Sequence, residues 1–133
     1  MKRVRWVLIV FLLIVAALPL DLMQELEEIT HTLDMNVLVE VHNQEELDLA
    51  LQLKTRLLGI NNRNLKTFDV SLNTTFDLLK NINADKIIVT ESGIFTSDDV
   101  KLMHDHDVNT FLIGEAFMRE SDPGHSLKNL FQF

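Results

Sequence analysis

Five short apolar runs recur along this chain, and each is followed by a stretch whose apolar residues fall at helical spacing. The runs cover residues 8–14, 37–41, 57–60, 86–90 and 110–113. Between them, residues 21–33 carry Leu22, Leu26, Ile29 and Leu33 on one predicted helical face. Asn43 with Glu46 three residues later predicts a capped helix through Leu47, Ala50 and Leu51, and residues 74–81 read as another. Thr96 with Asp99 caps a helix through Val100 and Met103, and Pro123 opens a last one with Leu127 and Leu130. Buried strands alternating with helices at this spacing mean βαβ units on a parallel sheet, an α/β fold. Right-handed crossovers put the helices on one side if the sheet curls and on both if it is doubly wound. No linker or low-complexity tract divides the chain.

The amino end admits a second reading. Lys2, Arg3 and Arg5 precede an uncharged run from Trp6 to Leu20, the outline of a secretory signal or short membrane anchor. That run is shorter than the roughly 20 residues needed to span a bilayer. A fully buried parallel strand has the same unbroken Val/Ile/Leu character. The four further strand–helix units favour the strand.

Length and composition then narrow the choices. At 133 residues the chain is too short for a closed eight-stranded (β/α) barrel, which needs roughly 250 residues. It has no cysteine, which excludes disulfide scaffolds, thiolate metal sites and cysteine nucleophiles. A net charge of -8 argues against nucleic acid as a partner, since phosphate backbones call for clustered Lys and Arg. Neither GxGxxG nor GxxxxGK[ST] occurs, so no nucleotide signature supports a doubly wound sheet. His31, His42, His104, His106 and His125 lack metal-ligand spacing and imply no metal site.

In parallel α/β folds chemistry gathers at the carboxyl ends of strands. The second run places Glu40 among valines, where a carboxylate must be paired, kept protonated or used for proton transfer. The third leads into Gly59-Ile60-Asn61-Asn62-Arg63-Asn64. Asn62 and Asn64 fit turn formation, whereas Asn61 at the strand tip is placed to face a ligand. Arg63 offers a two-pronged donor to a carboxylate or phosphate. The fourth ends Glu91-Ser92-Gly93 and the fifth Gly114-Glu115. Glycines at adjacent strand ends, one beside a short helix start, suit backbone amides converging on an anion.

LLIVAAL, VLVEVH, GINNRNLKTF, VTESGIF and FLIGEAFMR, in this order, resemble the carboxy-terminal part of indole-3-glycerol phosphate synthase. The resemblance runs from about Leu12 to the end and implies a partial (β/α)8 TIM barrel whose five parallel strands match barrel strands four to eight. It divides the chain into an atypical basic extension, residues 1–7, and barrel residues 8–133. It implies decarboxylating ring closure of 1-(2-carboxyphenylamino)-1-deoxyribulose 5-phosphate to indole-3-glycerol phosphate, a step of tryptophan biosynthesis. Glu40 matches the proton-transfer carboxylate, Asn61 a substrate-bonding asparagine, and Arg63 a rim arginine. Glu91 and Ser92 match a substrate-contacting pair; Gly93, Gly114 and the amide of Glu115 match the phosphate site. Serine is common where Glu115 stands, so its carboxylate is expected to turn away from the phosphate.

By the same resemblance the partner is a phosphorylated small molecule, with no metal or organic cofactor, no membrane and a cytoplasmic location. The family's catalytic lysines lie on strands one and three, which have no counterpart here, so the chain alone is expected to show at most a trace of activity. A truncated gene product is one expectation. A half-barrel that forms a homo-oligomer or complements a separate amino-terminal half is another, and a membrane-anchored or exported small protein is the third.

Overall fold

In the computed structural model, which describes residues 10–131, the apolar runs form one parallel five-stranded sheet. Its strands are β1 (Val10–Ile14), β2 (Asn36–Val41), β3 (Leu57–Asn61), β4 (Ile87–Glu91) and β5 (Thr110–Leu112). The helices are α1 (Leu20–Thr32), α2 (Gln44–Ala50), α3 (Asn73–Leu79), α4 (Ser97–His104), α5 (Glu115–Met118) and α6 (Pro123–Phe131). The spatial order β1-β2-β3-β4-β5 is the chain order, with every pair parallel. Strand order never reverses, so crossovers of one hand place all helices on one face. The sheet is therefore a segment of a (β/α) barrel and not a doubly wound layer.

The apolar run near the amino end forms β1, paired in register with β2 from Val10↔Asn36 to Ile14↔Glu40. Residues 8 and 9 of the expected strand, and the basic extension 1–7, lie outside the described residues. Among the described residues, no helix is long and apolar enough to cross a membrane.

Period-two alternation sorts the strand residues. Leu13, Val37, Val39, Val41, Leu58 and Ile60 pack under the helices with Met23, Leu47, Ala50, Leu53 and Leu78. A second cluster, Ile94, Val100, Met103, Val108 and Leu130, joins α4 to α6. Burying each large side chain supplies about 1.5–3 kcal/mol before conformational entropy is set against it.

Both predicted caps form. Asn43 Oδ1 accepts the Glu46 N–H at 2.9 Å, and Thr96 with Asp99 makes a reciprocal capping box. The predicted apolar face of α1 holds only at Leu26, which packs half-buried against the core. Leu22, Ile29 and Leu33 are exposed, and Met23, Glu27 and Thr30 face the interior. The physical reason is Glu27: its carboxylate accepts the backbone N–H groups of Lys54 and Thr55 at 3.0 and 2.7 Å, just before β3. Two charge-assisted bonds to otherwise unsatisfied amides outweigh the burial of one more leucine face.

Candidate active site

The concave face of the sheet carries the alternate set of residues, and its carboxyl end carries the polar ones. β3 and β4 each run one residue further than the apolar pattern predicts. The extra residues are Asn61 and Glu91, paired in register with each other. Being held on strands rather than loops fixes both side chains toward the same side as Glu40.

Glu40 and Glu91 are 5% and 2% exposed. Gly59 lies between their strands, in register with Glu40, and a Cβ there would collide with Glu91 Oε1. The glycine is what lets the Glu91 carboxyl lie flat against the sheet beside Glu40. Burial, the neighbouring Glu40 charge and a hydrogen bond to Glu40 push the Glu91 carboxyl up to about 8. Two carboxylates cannot both ionise cheaply at this distance from water, so Glu91 keeps its proton at neutral pH and Glu40 accepts it as a hydrogen bond. Glu40 Oε1 also accepts from Asn61 Nδ2 at 3.0 Å, while Asn61 Oδ1 accepts the Arg63 backbone N–H at 3.0 Å.

Asn62 does more than form a turn. Buried under the loops, its Nδ2 donates to Thr90 Oγ1 at 2.8 Å and to the Ser92 carbonyl at 3.0 Å. Its Oδ1 accepts from Thr75 Oγ1 at 2.8 Å and from the Thr75 N–H at 3.2 Å. This network ties the loop after β3 to the loop after β4. Ser92, whose carbonyl this network binds, sits at φ 63°, a left-handed conformation costly for a non-glycine residue. Gly93 follows at φ 83°, where a Cβ would also meet Val70 Cγ1 at 2.8 Å. Asn64 is the turn former, its Oδ1 accepting the Lys66 N–H at 2.8 Å.

Glu40, Asn61, Glu91, Ser92, Gly93, Gly114 and Glu115 all line one cleft of about 270 Å³ at the ends of β2 to β5. Arg63 does not line it. Its guanidinium is held by the Glu115 carboxylate, which Arg119 also engages, and Arg63 faces a second, neighbouring cleft of about 520 Å³. The Glu115 carboxylate is thus turned to two arginines, while the first turn of α5 borders the first cleft.

By spacing alone His42 is no more distinctive than the other four histidines. The structure places it beside Glu40, with Nε2 3.1 Å from Glu40 Oε1 and Nδ1 2.9 Å from Glu46 Oε2. The signals were available: His42 follows Glu40 by two positions, on the same face at the strand end, and precedes Glu46 by one helical turn. His104 and His106 lie at the exposed end of α4 against Phe111 and Phe76. Among the described residues no cluster of three metal-binding side chains occurs.

The profile described as indole-3-glycerol phosphate synthase matches residues 6–130. Indole-3-glycerol phosphate synthase of Chromobacterium violaceum is 62% identical over 120 residues, covering 90% of this chain and 45% of that protein. The synthase of Delftia acidovorans is 58% identical, with the same shares covered. The chain therefore spans a little under half the length of these curated relatives. Among solved structures, KGPDC from Streptococcus mutans superimposes with a TM-score of 0.61 at 16% identity, over 92% of this chain and 58% of that one. The Amycolatopsis orientalis BexX/CysO complex gives 0.64 at 15%, over 85% and 45%. At these identities the two structures speak for the fold alone.

Proposed function

The chain belongs to the indole-3-glycerol phosphate synthase family, and from that premise we propose that it supplies the carboxy-terminal half of a synthase active site. The reaction is ring closure of 1-(2-carboxyphenylamino)-1-deoxyribulose 5-phosphate with loss of CO2 and water, a lyase step of tryptophan biosynthesis in the cytoplasm. The observation that carries this reading is the Glu40–Glu91 pair: two buried carboxyl groups side by side over Gly59, in the same cleft as Ser92, Gly93 and Gly114, with burial and the neighbouring acid pushing Glu91 up to about 8. Such a pair suits proton removal and return at neighbouring substrate atoms.

In this reading Glu40 moves protons in closure and dehydration, and Asn61 orients Glu40 and bonds the substrate. Glu91 and Ser92 contact the reacting part. The backbone amides at Gly93, Gly114 and Glu115 take the phosphate. Arg63 binds substrate only after release from Glu115, or else acts by holding that carboxylate away from the phosphate.

Among the described residues β1 and β5 are the two edge strands of the sheet, each paired on one side only, and no lysine is among the described residues lining the first cleft. We assign those edges to an amino-terminal half-barrel as partner, ahead of a second copy. The test mixes this chain with the amino-terminal half of the Chromobacterium violaceum relative and follows turnover of the carboxyphenylamino substrate. The chain alone should give a trace, the mixture measurable turnover, and Glu40→Gln a loss of about 10²-fold or more. Association of the halves without turnover would overturn the proposal.

A further inference from the structure

Among the described residues, two buried side-chain atoms lack a hydrogen-bond partner, His42 Nε2 and Glu91 Oε1, and both belong to groups flanking Glu40. Buried polar atoms are rarely left this way without a functional reason. For His42 the cause is the other side of the ring. Glu46 accepts the His42 backbone N–H at 2.8 Å, faces Nδ1 at 2.9 Å through the same oxygen, and takes the Asn43 amide at 2.9 Å through the other. A carboxylate pinned by three groups in the first turn of α2 fixes the proton on Nδ1. The ring is then aimed so that Nε2 lies 3.1 Å from Glu40 Oε1, close but off the line of a hydrogen bond.

The placement of the clefts adds a direction. Glu40 lines the first cleft, His42 and Glu46 line the second, and Asn61 lines both. Glu40 therefore faces substrate on one side and an oriented imidazole on the other.

We propose that His42, oriented by Glu46, is the proton store of Glu40. When Glu40 takes a proton from substrate, that proton passes from Oε1 to Nε2, leaving a carboxylate and an imidazolium whose Nδ1–H stays on Glu46. When Glu40 must return a proton, Nε2 gives it back. No electrons move and no other reactant is needed. An acid orienting a histidine that exchanges a proton with the reacting group is a recurrent catalytic arrangement. Here the reacting group is a carboxylate. The acids against the ring are Glu40 on β2 and Glu46 on α2; Glu91 on β4 is protonated and bonded to Glu40, and the Arg63 guanidinium after β3 is held by Glu115. His42 and Glu46 are positioning residues, and their role rests on Glu40 being the proton-transfer group of the proposed function.

The test is NMR of the full chain with ¹⁵N-labelled histidine and ¹³C-labelled glutamate. Across a pH titration, His42 Nε2 and the Glu40 carboxyl carbon should change together while Nδ1 stays protonated. Glu40→Gln should alter the Nε2 signal, and Glu46→Gln should release the ring so that both tautomers appear. A Nε2 signal indifferent to Glu40→Gln, with the amide spectrum intact, would overturn the proposal. Should that variant fail to fold, a ring keeping one tautomer in Glu46→Gln would overturn it equally. In the mixed halves, His42→Gln should lower kcat about tenfold at constant KM and reshape the pH profile. Turnover without His42–Glu40 coupling sinks the store alone, whereas coupling without turnover sinks the proposed function and, with it, the store's catalytic role.

Discussion

On the helix side of the sheet, Val37, Val39, Val41 and Ile60 are fully enclosed by side chains from α1, α2 and α3. On the concave side Leu12, Ile87 and Leu112 remain 44%, 42% and 51% exposed, and the enclosed groups at the carboxyl end are two acids. One surface is settled by shape and hydrophobic burial. The other holds apolar residues without cover and polar residues whose cost only chemistry explains. A strand face that buries carboxyls while exposing leucines is organised for something other than its own stability.

Substitutions on the two faces should separate sharply. Ile60→Ala, on the helix side, should cost about 2–5 kcal/mol in urea unfolding, because the cavity cannot collapse within a close-packed layer. Glu27→Gln removes one of the two charge-assisted bonds that join α1 to the start of β3, and should cost about 1–3 kcal/mol. Loss of helicity confined to α1 would instead make Glu27 a local feature.

The acid pair gives the concave face a pH signature. Glu91 titrates near 8 in the folded chain against an ordinary 4.5, so between those values the folded state holds a proton that the unfolded state has lost. Its contribution is full below about pH 4.5 and declines as pH rises to about 8, with a slope approaching about 1.4 kcal/mol per pH unit. Glu91→Gln should flatten that slope, as measured by unfolding midpoints across the window. An unchanged slope would mean that Glu91 does not hold the proton. The smallest effect should come from Leu12→Ser, about 0.5 kcal/mol or less in the chain alone. A cost matching that of Ile60→Ala would erase the difference between the faces.

The helix side was legible in sequence because burial there obeys periodicity: the five runs and the two caps follow from spacing, whereas the strand order came only with the family resemblance. The exception was α1, where Leu22, Ile29 and Leu33 mark a helical stripe but Glu27 decides which side turns inward. That choice depends on amides some 27 residues later, beyond any local pattern. At the site, Glu40, Asn61 and Glu91 stood out as polar residues ending apolar strands. Arg63 was legible as a donor but not as a partner of Glu115, 52 positions away. His42 was lost among five histidines because its meaning lies in a pairing on both sides, with Glu40 through the strand and Glu46 through the helix. Asn62 looked like its neighbour Asn64, and only burial between two loops separates a structural anchor from a turn.

The most direct measurement follows the backbone amides of the ¹⁵N-labelled chain during titration with indole-3-glycerol phosphate. Saturable shifts should be largest at Ser92, Gly93, Gly114 and Glu115, with inorganic phosphate moving the last three. Saturable shifts confined to the helix-covered face, or none at these strand ends, would contradict the assignment of the concave face as the catalytic one.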